Sequence, residues 1–295
     1  MIIFVPMYET PFHSQSLNKY SFLVTGGAGF IGSHLVEYLL KYEAGKVRVL
    51  DNMLTGDKRN VSLFHADPDY EFIEGDIRDL NTCMQACDGI DFVFHEAALG
   101  SVQRSILDPI TTNDINSGGF LNMLWAAKEK KVKRLVYASS SSVYGDHPGL
   151  PKVEEQIGKP LSPYAVSKYS NELYAGVFSN SYGMKIIGLR YFNIFGPRQS
   201  PDGPYAAVIP AFIHKLKNGI QPVIYGDGSN SRDFTFVENA VQANIKAMFA
   251  ESPDALNRVY NIAVSEQYTI LQLFEAIRKI LKSDLKPKFE LSRKG

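Results

Sequence analysis

From Phe22 to Asp51 the chain spells strand, glycine turn, helix, strand and acid in that order, and few folds accept such a run. Phe22-Leu23-Val24-Thr25 is a short buried strand, and Gly26-Gly27-Ala28-Gly29-Phe30-Ile31-Gly32 follows at once. Leu35, Val36, Leu39 and Leu40 then recur at helical spacing, and Val47-Arg48-Val49-Leu50 forms a second strand that stops at Asp51. Glycines 26, 29 and 32 let the backbone turn tightly and offer its N–H groups, with a helix N-terminus, to a pyrophosphate. An acid about twenty residues beyond the turn reaches a ribose 2′-hydroxyl, which favours NAD over NADP. Glycine spacing alone is a weak signal, because such turns also serve packing. Here the strand before, the helix after and the acid at the right offset support one another.

Three further strands continue the pattern. Tyr70-Glu71-Phe72-Ile73-Glu74-Gly75-Asp76-Ile77 ends in an acid that serves either an adenine amino group or the turn itself. Phe92-Val93-Phe94-His95-Glu96-Ala97-Ala98 runs into small residues that let backbone approach a flat cofactor, with His95 as wall rather than catalyst. Leu135-Val136-Tyr137-Ala138 delivers the run Ser139, Ser140, Ser141, Ser142 at its carboxyl end, the edge where open parallel sheets bind ligands. Alternation of strand and helix to about residue 190 predicts an α/β, Rossmann-type doubly wound parallel sheet. The expected division is an N-terminal extension over 1–20, a NAD-binding domain over 21–190, and a smaller substrate-binding α/β lobe over 191–295, interleaved with the first. Helices are expected at 110–130, 163–182, 209–217, 237–249 and 270–281.

In the helix that follows Ser162-Pro163, Tyr164 and Lys168 are an i,i+4 pair on one face. The ammonium can then lower the phenol from about 10 toward working pH, and a phenolate so held can take a proton from a sugar hydroxyl. Alone, Tyr-x-x-x-Lys reads as ordinary helix surface. The serine run upstream supplies hydroxyls for the same substrate oxygen, with Ser140 foremost.

Thr25-Gly26-Gly27-Ala28-Gly29-Phe30-Ile31-Gly32, His95-Glu96-Ala97-Ala98, Tyr164-Ala165-Val166-Ser167-Lys168 and Arg190-Tyr191-Phe192-Asn193-Ile194-Phe195-Gly196-Pro197 together resemble the extended short-chain dehydrogenase/reductase family over essentially the whole chain. Within it, Ala98-Leu99-Gly100-Ser101-Val102-Gln103-Arg104-Ser105, Gly145-Asp146-His147-Pro148, Tyr205-Ala206-Ala207-Val208-Ile209-Pro210 and Gly226-Asp227-Gly228-Ser229-Asn230-Ser231-Arg232-Asp233 look most like bacterial UDP-N-acetylglucosamine 4-epimerases of polysaccharide synthesis. The resemblance implies Ser140, Tyr164 and Lys168 as catalytic. It implies Gly26, Gly29, Phe30, Ile31, Gly32, Asp51, Asn52, Asp76, Ile77, Ala97 and Ala98 at NAD, with Tyr164 and Lys168. The UDP-sugar would meet Gly100, Ser101, Ser140, Ser141, Ser142, Asn193, Ala207, Val208, Tyr225 and Arg232. Their plainer readings stay open: Asn193 as a turn residue, Tyr225 as a strand aromatic, Arg232 as partner of Asp233. The 4,6-dehydratases of the family carry an Asp-Glu pair directly after the catalytic Thr, where this chain has Ser141 and Ser142, so the resemblance favours epimerisation through a 4-keto sugar. Small residues at 100, 101, 141 and 207 leave room for an N-acetyl group, and the corresponding uronic acids remain an alternative. Family members pair the 110–130 and 163–182 helices with a second subunit as a four-helix bundle; a face buried within the chain explains their apolar residues equally well. The chain stops at Ser292-Arg293-Lys294-Gly295, about where those epimerases continue their substrate lobe, so a truncated lobe is expected.

Composition narrows the partners. Formal net charge is zero and no basic cluster recurs with aromatics, so no nucleic-acid partner is expected. Cys83 and Cys87 are the only cysteines and lack companions for a zinc site, so they are expected reduced and structural, with no metal. No run of about 18 apolar residues occurs, and the apolar start at 1–7 is too short for a signal core, so no membrane partner and a cytoplasmic location are expected. The rival readings are a reductase or dehydrogenase that releases NADH, and an idle NAD-binding protein.

Overall fold

The computed structural model describes residues 7–201 and 206–291. Tyr205 of the Tyr205 to Pro210 motif and the terminal Ser292 to Gly295 lie outside the described residues. The centre is one parallel sheet of seven strands. Six of them are β1 (Ser21–Thr25), β2 (Lys46–Asp51), β3 (Tyr70–Glu74), β4 (Phe92–His95), β5 (Arg134–Ser140) and β6 (Ile186–Tyr191); the seventh is Val259–Ile262. From one edge the order is β3, β2, β1, β4, β5, β6 and then Val259–Ile262. Val24 of β1 stands between Val49 of β2 and Phe94 of β4. Strand order reverses between β1 and β4, the crevice where open α/β sheets bind ligands.

Both faces of the sheet are apolar because both are covered. Side chains alternate along a strand, so Phe22 and Val24 of β1 enter one core and Leu23 the other. The first core joins them to Leu35, Val36 and Leu39 of α1 (Phe30–Lys41) and to Ala240, Val241 and Ile245 of the Val237–Met248 helix. The second joins Leu23, Val93 and Leu135 to Cys83, Phe120, Met123 and Phe178 on the helices Leu80–Ala86, Gly119–Glu129 and Pro163–Tyr182. Each such side chain contributes about 1.5–3 kcal/mol on burial. Both thiols sit in this second core, and no disulfide joins them.

Three features of the structure refine the sequence reading. The helix expected over 110–130 is Pro109–Asn113, a π turn over Asp114–Gly118, and Gly119–Glu129. The π turn carries Asn116, whose amide accepts from the Leu99 amide at 2.7 Å and donates to the Ser167 hydroxyl at 3.1 Å; the extra residue sets that side chain between two elements. The chain also returns to the sheet late: Val259–Ile262 pairs in parallel with β6, inside the span read as substrate lobe. Finally, residues 7–20 are packed rather than trailing. The Tyr8 hydroxyl meets His34 Nδ1 at 2.9 Å, and Phe12 stacks on Tyr38.

The smaller lobe has its own core, with Phe212 and Leu216 of the Val208–Lys217 helix against Phe274 and Ile277 of Ile270–Ile280. Thr269 starts the latter helix with a capping box, its hydroxyl accepting from the Gln272 amide while Gln272 accepts from the Thr269 amide.

Candidate active site

A single cavity of about 1520 Å³ runs along the carboxyl edge of the sheet into the smaller lobe. Its volume exceeds the roughly 300–1,000 Å³ of an ordinary small-ligand pocket, which suits two ligands placed end to end. At the sheet end its wall includes Gly26, Gly29, Phe30, Ile31, Gly32, Asp51, Asn52, Ile77, Ala97 and Ala98. Gly26 has a φ of +72°, and a Cβ there would stand 2.7 Å from the Ala97 amide nitrogen. Only glycine meets both demands, left-handed backbone and direct strand contact. A Cβ on Gly32 would overlap the Gly26 carbonyl, so α1 begins pressed against the turn. Asp51 closes the arrangement: its carboxylate accepts from the Ala28 amide at 3.0 Å and the Met53 amide at 2.9 Å. Burial holds its pKa above the ordinary value, and those two amides oppose the rise. A free helix N-terminus, a turn without side chains and an acid beside it fit a dinucleotide with a ribose 2′-hydroxyl.

Asp76 departs from the expected set. It lies outside the lining residues, and its carboxylate pairs with Arg78 at 2.7 Å and accepts from Asn52 Nδ2 at 2.8 Å. The hydrogen bonds from Arg78 lead in pulling it down to about 2. Its neighbour Ile77 does reach the cavity and packs on Gly119.

In the middle of the cavity the Pro163–Tyr182 helix presents Tyr164 and Lys168, and the end of β5 presents Ser140. Ser162 caps that helix by accepting from the Ala165 amide at 3.2 Å. The expected pairing of ammonium with phenol is not what forms. Lys168 Nζ donates instead to the Ala138 carbonyl at 2.8 Å, an acceptor brought by β5. Burial raises the Tyr164 phenol above its ordinary value, and a hydrogen bond with Ser140 pulls it back. Burial also lowers Lys168 to about 8, opposed by the charge of Glu96. Ser140 accepts from the Ser142 amide at 3.2 Å, starting a short 3-10 turn over Ser141–Tyr144. The Ser142 hydroxyl is buried at the cavity and has no partner among the described residues.

Behind the serines lies a fixed support. The Ser139 hydroxyl donates to Glu172 at 2.6 Å, and Arg190 grips the same carboxylate through Nε at 2.9 Å and Nη2 at 2.8 Å. Glu172 is four residues beyond Lys168 on one helix face, so this pair ties the catalytic helix to β5 and β6.

At the lobe end the wall includes Gly100, Ser101, Ser141, Asn193, Ala207 and Arg232. Ser101 is held at φ +98°, and its hydroxyl accepts from the Arg104 amide at 3.2 Å. Asn193 donates to the Asp233 carbonyl at 2.8 Å, and Arg232 to the Ser231 carbonyl at 2.9 Å. Val208 and Tyr225 are not lining residues. Val208 opens its helix and packs into the lobe core, while Tyr225 ends the strand Val223–Tyr225 opposite Glu290.

The sequence reading passed over Glu96 and Tyr191 and had no motif for Ser265, Glu266 and Gln267, all on the wall. Glu96 stands inside the His95-Glu96-Ala97-Ala98 motif, where the small alanines carry the signal for cofactor approach. His95 beside it is buried, meets Thr25 Oγ1 at 3.0 Å, and is lowered to about 3 by burial and then by Lys168, which makes it a neutral wall.

Comparison with known proteins places this geometry. The family model described as the NAD dependent epimerase/dehydratase family matches residues 22–263. A putative UDP-glucose 4-epimerase of Methanocaldococcus jannaschii is 38% identical over 87% of this chain and 81% of its own. The UDP-N-acetylglucosamine 4-epimerase of Methanobrevibacter ruminantium, solved with UDP-N-acetylmuramic acid, superposes with a TM-score of 0.88 at 41% identity, covering 94% of this chain and 86% of that one. The UDP-glucose 4-epimerase of Thermotoga maritima, solved with UDP-glucose, gives 0.87 at 35% identity, over 93% of this chain and 87% of that one. The chain belongs to the NAD dependent epimerase/dehydratase family, an extended short-chain dehydrogenase/reductase with NAD as its cofactor.

Proposed function

We propose that the chain is a 4-epimerase that interconverts UDP-N-acetylglucosamine and UDP-N-acetylgalactosamine with NAD kept bound, passing through a transient 4-keto sugar. The observation that carries this reading is the convergence of Tyr164, Lys168 and Ser140 on one cavity, followed by the hydroxyls of Ser141 and Ser142 where an eliminating site needs carboxyls. NAD supplies the hydride acceptor and donor at carbon 4. Tyr164 takes the proton of the carbon 4 hydroxyl and later returns it, and Ser140 holds that oxygen by hydrogen bonding. Lys168, fixed by the Ala138 carbonyl, adds positive charge to the wall of the same cavity. Return of hydrogen to the opposite face of the sugar inverts carbon 4, with no net oxidation. Such a cycle needs a firm grip on the nucleotide and a loose sugar. Arg232 is the diphosphate contact and Asn193 a contact to sugar or diphosphate, while Asp51 with the 26–32 turn secures the cofactor.

An N-acetyl group is supported by the wall at carbon 2. A Cβ built on Gly100 meets nothing within 4 Å, and Ser101, Ser141 and Ala207 beside it are small. The Methanobrevibacter ruminantium relative is itself a UDP-N-acetylglucosamine 4-epimerase. A second reading, the corresponding UDP-N-acetylhexosaminuronic acids, keeps the same substituent at carbon 2 and is favoured by Lys152 on the cavity wall, a cation able to face the carboxylate at carbon 6. The test incubates the protein, without added cofactor, with UDP-N-acetylglucosamine, UDP-glucose and the uronic acid, and follows carbon 4 by NMR. Fastest conversion of UDP-N-acetylglucosamine is expected. Conversion of the uronic acid alone would select the second reading, and conversion of UDP-glucose alone would overturn both.

The assembly we propose is a homodimer through a four-helix bundle. Ile110, on the Pro109–Asn113 helix, and Val166, Leu173 and Val177, on Pro163–Tyr182, are exposed apolar residues on the helices expected to pair. No described helix is long and apolar enough to cross a membrane. The two buried free thiols suit a reducing compartment, and the cytoplasm is the location we assign.

A further inference from the structure

Glu96 stands one residue beyond β4 on the cavity wall, with Lys168, Tyr164 and Tyr191 as fellow lining residues. Its carboxylate is deep in the protein yet keeps part of its surface on the open cavity. Its orientation is built in. Asn244, fully buried on the Val237–Met248 helix, donates through Nδ2 to the Tyr191 hydroxyl at 2.6 Å, and that hydroxyl donates to Glu96 Oε1 at 2.9 Å. Because the Asn244 amide occupies the acceptor side of Tyr191, the Tyr191 proton must point at Glu96, which is therefore held as an acceptor. Three elements, β4, β6 and a helix from late in the chain, thus spend buried polar groups on aiming one acid at the cavity. Packing alone would have used apolar side chains there, since buried polar groups are costly unless matched.

We propose that Glu96 is a positioning residue for the reaction: a carboxylate aimed by the Asn244–Tyr191 chain at the cavity that Lys168 also lines, whose negative charge there keeps Lys168 protonated during turnover. The inference rests on the reading of Tyr164 and Lys168 as the reacting pair.

The titratable groups whose charge bears on Glu96 are Lys168 from the Pro163–Tyr182 helix and Tyr191 from β6. His95, its neighbour on β4, is neutral over the working range, and Asn244 and Thr25 carry no charge. Burial pushes Glu96 up to about 7, while the Tyr191 hydrogen bond and Lys168 pull it down. Burial brings Lys168 down to about 8, with Glu96 opposing. An acid raised in the folded state binds a proton that the unfolded chain has released, so between the unfolded and folded values stability falls as pH rises. That slope is a direct reading of Glu96 with no turnover involved.

The test compares wild type with Glu96→Gln and Glu96→Asp in two measurements: the pH profile of kcat, and the melting temperature from pH 5 to 9, each with NAD content checked. In Glu96→Gln the alkaline limb of kcat moves to lower pH by about one unit, because Lys168 loses its supporting charge. The decline of melting temperature between pH 5 and 7 flattens, and Glu96→Asp restores the limb at least in part. A wild-type alkaline limb in Glu96→Gln overturns the proposal, as does a wild-type slope of melting temperature. If Glu96→Gln does not fold, Tyr191→Phe keeps the ring and removes a donor that holds Glu96 down, so Glu96 rises further: the alkaline limb of kcat moves to lower pH by less than in Glu96→Gln, and the decline of melting temperature steepens instead of flattening; an unchanged profile there overturns the proposal equally. Absence of epimerisation in wild type would refute the proposed function, whereas the melting slope reports on Glu96 regardless.

Discussion

Glu172→Gln tests whether the support behind the serines carries the energy that its geometry implies. Both side chains of the Glu172–Arg190 pair are nearly out of water, at 6% and 5% exposure. The carboxylate accepts from Ser139 at 2.6 Å and twice from Arg190, at 2.9 and 2.8 Å. Glutamine keeps one acceptor and replaces the other oxygen with a donor, which would face either the guanidinium or the serine hydroxyl. The guanidinium is left buried without its countercharge, a loss of about 3–5 kcal/mol. For a chain of this size that lowers the melting temperature by roughly 5–8 °C. Replacing both partners, Glu172→Leu with Arg190→Met, removes the uncompensated charge and should recover part of the loss, because buried pairs are worth little against apolar residues of similar volume. Scanning calorimetry of Glu172→Gln, Glu172→Leu, Arg190→Met and the double variant with NAD bound gives the numbers, and kcat should fall with Glu172→Gln because Ser139 precedes Ser140 and Glu172 follows Lys168 on the same helix face. A single variant melting within 2 °C of wild type, or a double variant that loses the sum of both singles, refutes the reasoning.

Tyr164→Phe removes the proton-transfer group and should cut turnover by about 10²–10⁴-fold while NAD remains bound, measured by the carbon 4 assay and by NAD released on denaturation. Gly26→Ala puts a Cβ 2.7 Å from the Ala97 amide nitrogen at a φ of +72°. The left-handed backbone alone costs about 1–2 kcal/mol, so the purified variant should carry less NAD than wild type. Asp76 is held down to about 2 chiefly by Arg78. A carboxylate with a lowered folded value stabilises fully above its unfolded value and loses that contribution as pH falls toward the folded one, so Asp76→Asn should flatten the decline of melting temperature between pH 4 and 2. Val177→Glu places a charge on the exposed apolar face of the Pro163–Tyr182 helix and should yield monomer in light scattering if that face joins two subunits.

The parts of the site written locally were legible. The 26–32 turn, Asp51 and the Pro163–Tyr182 helix follow from spacing, because glycine conformation and helical period act over a few residues. What escaped depends on distant chain. Lys168 donates to a carbonyl thirty residues earlier, so an i,i+4 spacing could bring Tyr164 and Lys168 together but could not choose the ammonium's partner. Asp76 looked available until its near neighbour Arg78 folded back onto it. Glu96 gains meaning only when Tyr191 and Asn244 converge on it from β6 and a helix of the late chain. The π turn at Asp114–Gly118 left no periodicity signal, since one inserted residue shifts the pattern without breaking it. Interleaving of the late chain with the first domain was expected, but which strand would join the sheet was not, since Val259–Ile262 pairs with β6 by a choice that its own four residues do not announce.

The most direct test of the central claim uses UDP-N-acetylglucosamine deuterated at carbon 4, incubated with the purified protein in ordinary water without added cofactor. Transient oxidation within one closed site predicts UDP-N-acetylgalactosamine that keeps its deuterium at carbon 4, with NAD recovered from the protein in undiminished amount. Epimer formed with the label lost to water would contradict hydride return, and release of a 4-keto product or of free NADH would identify a dehydrogenase in its place.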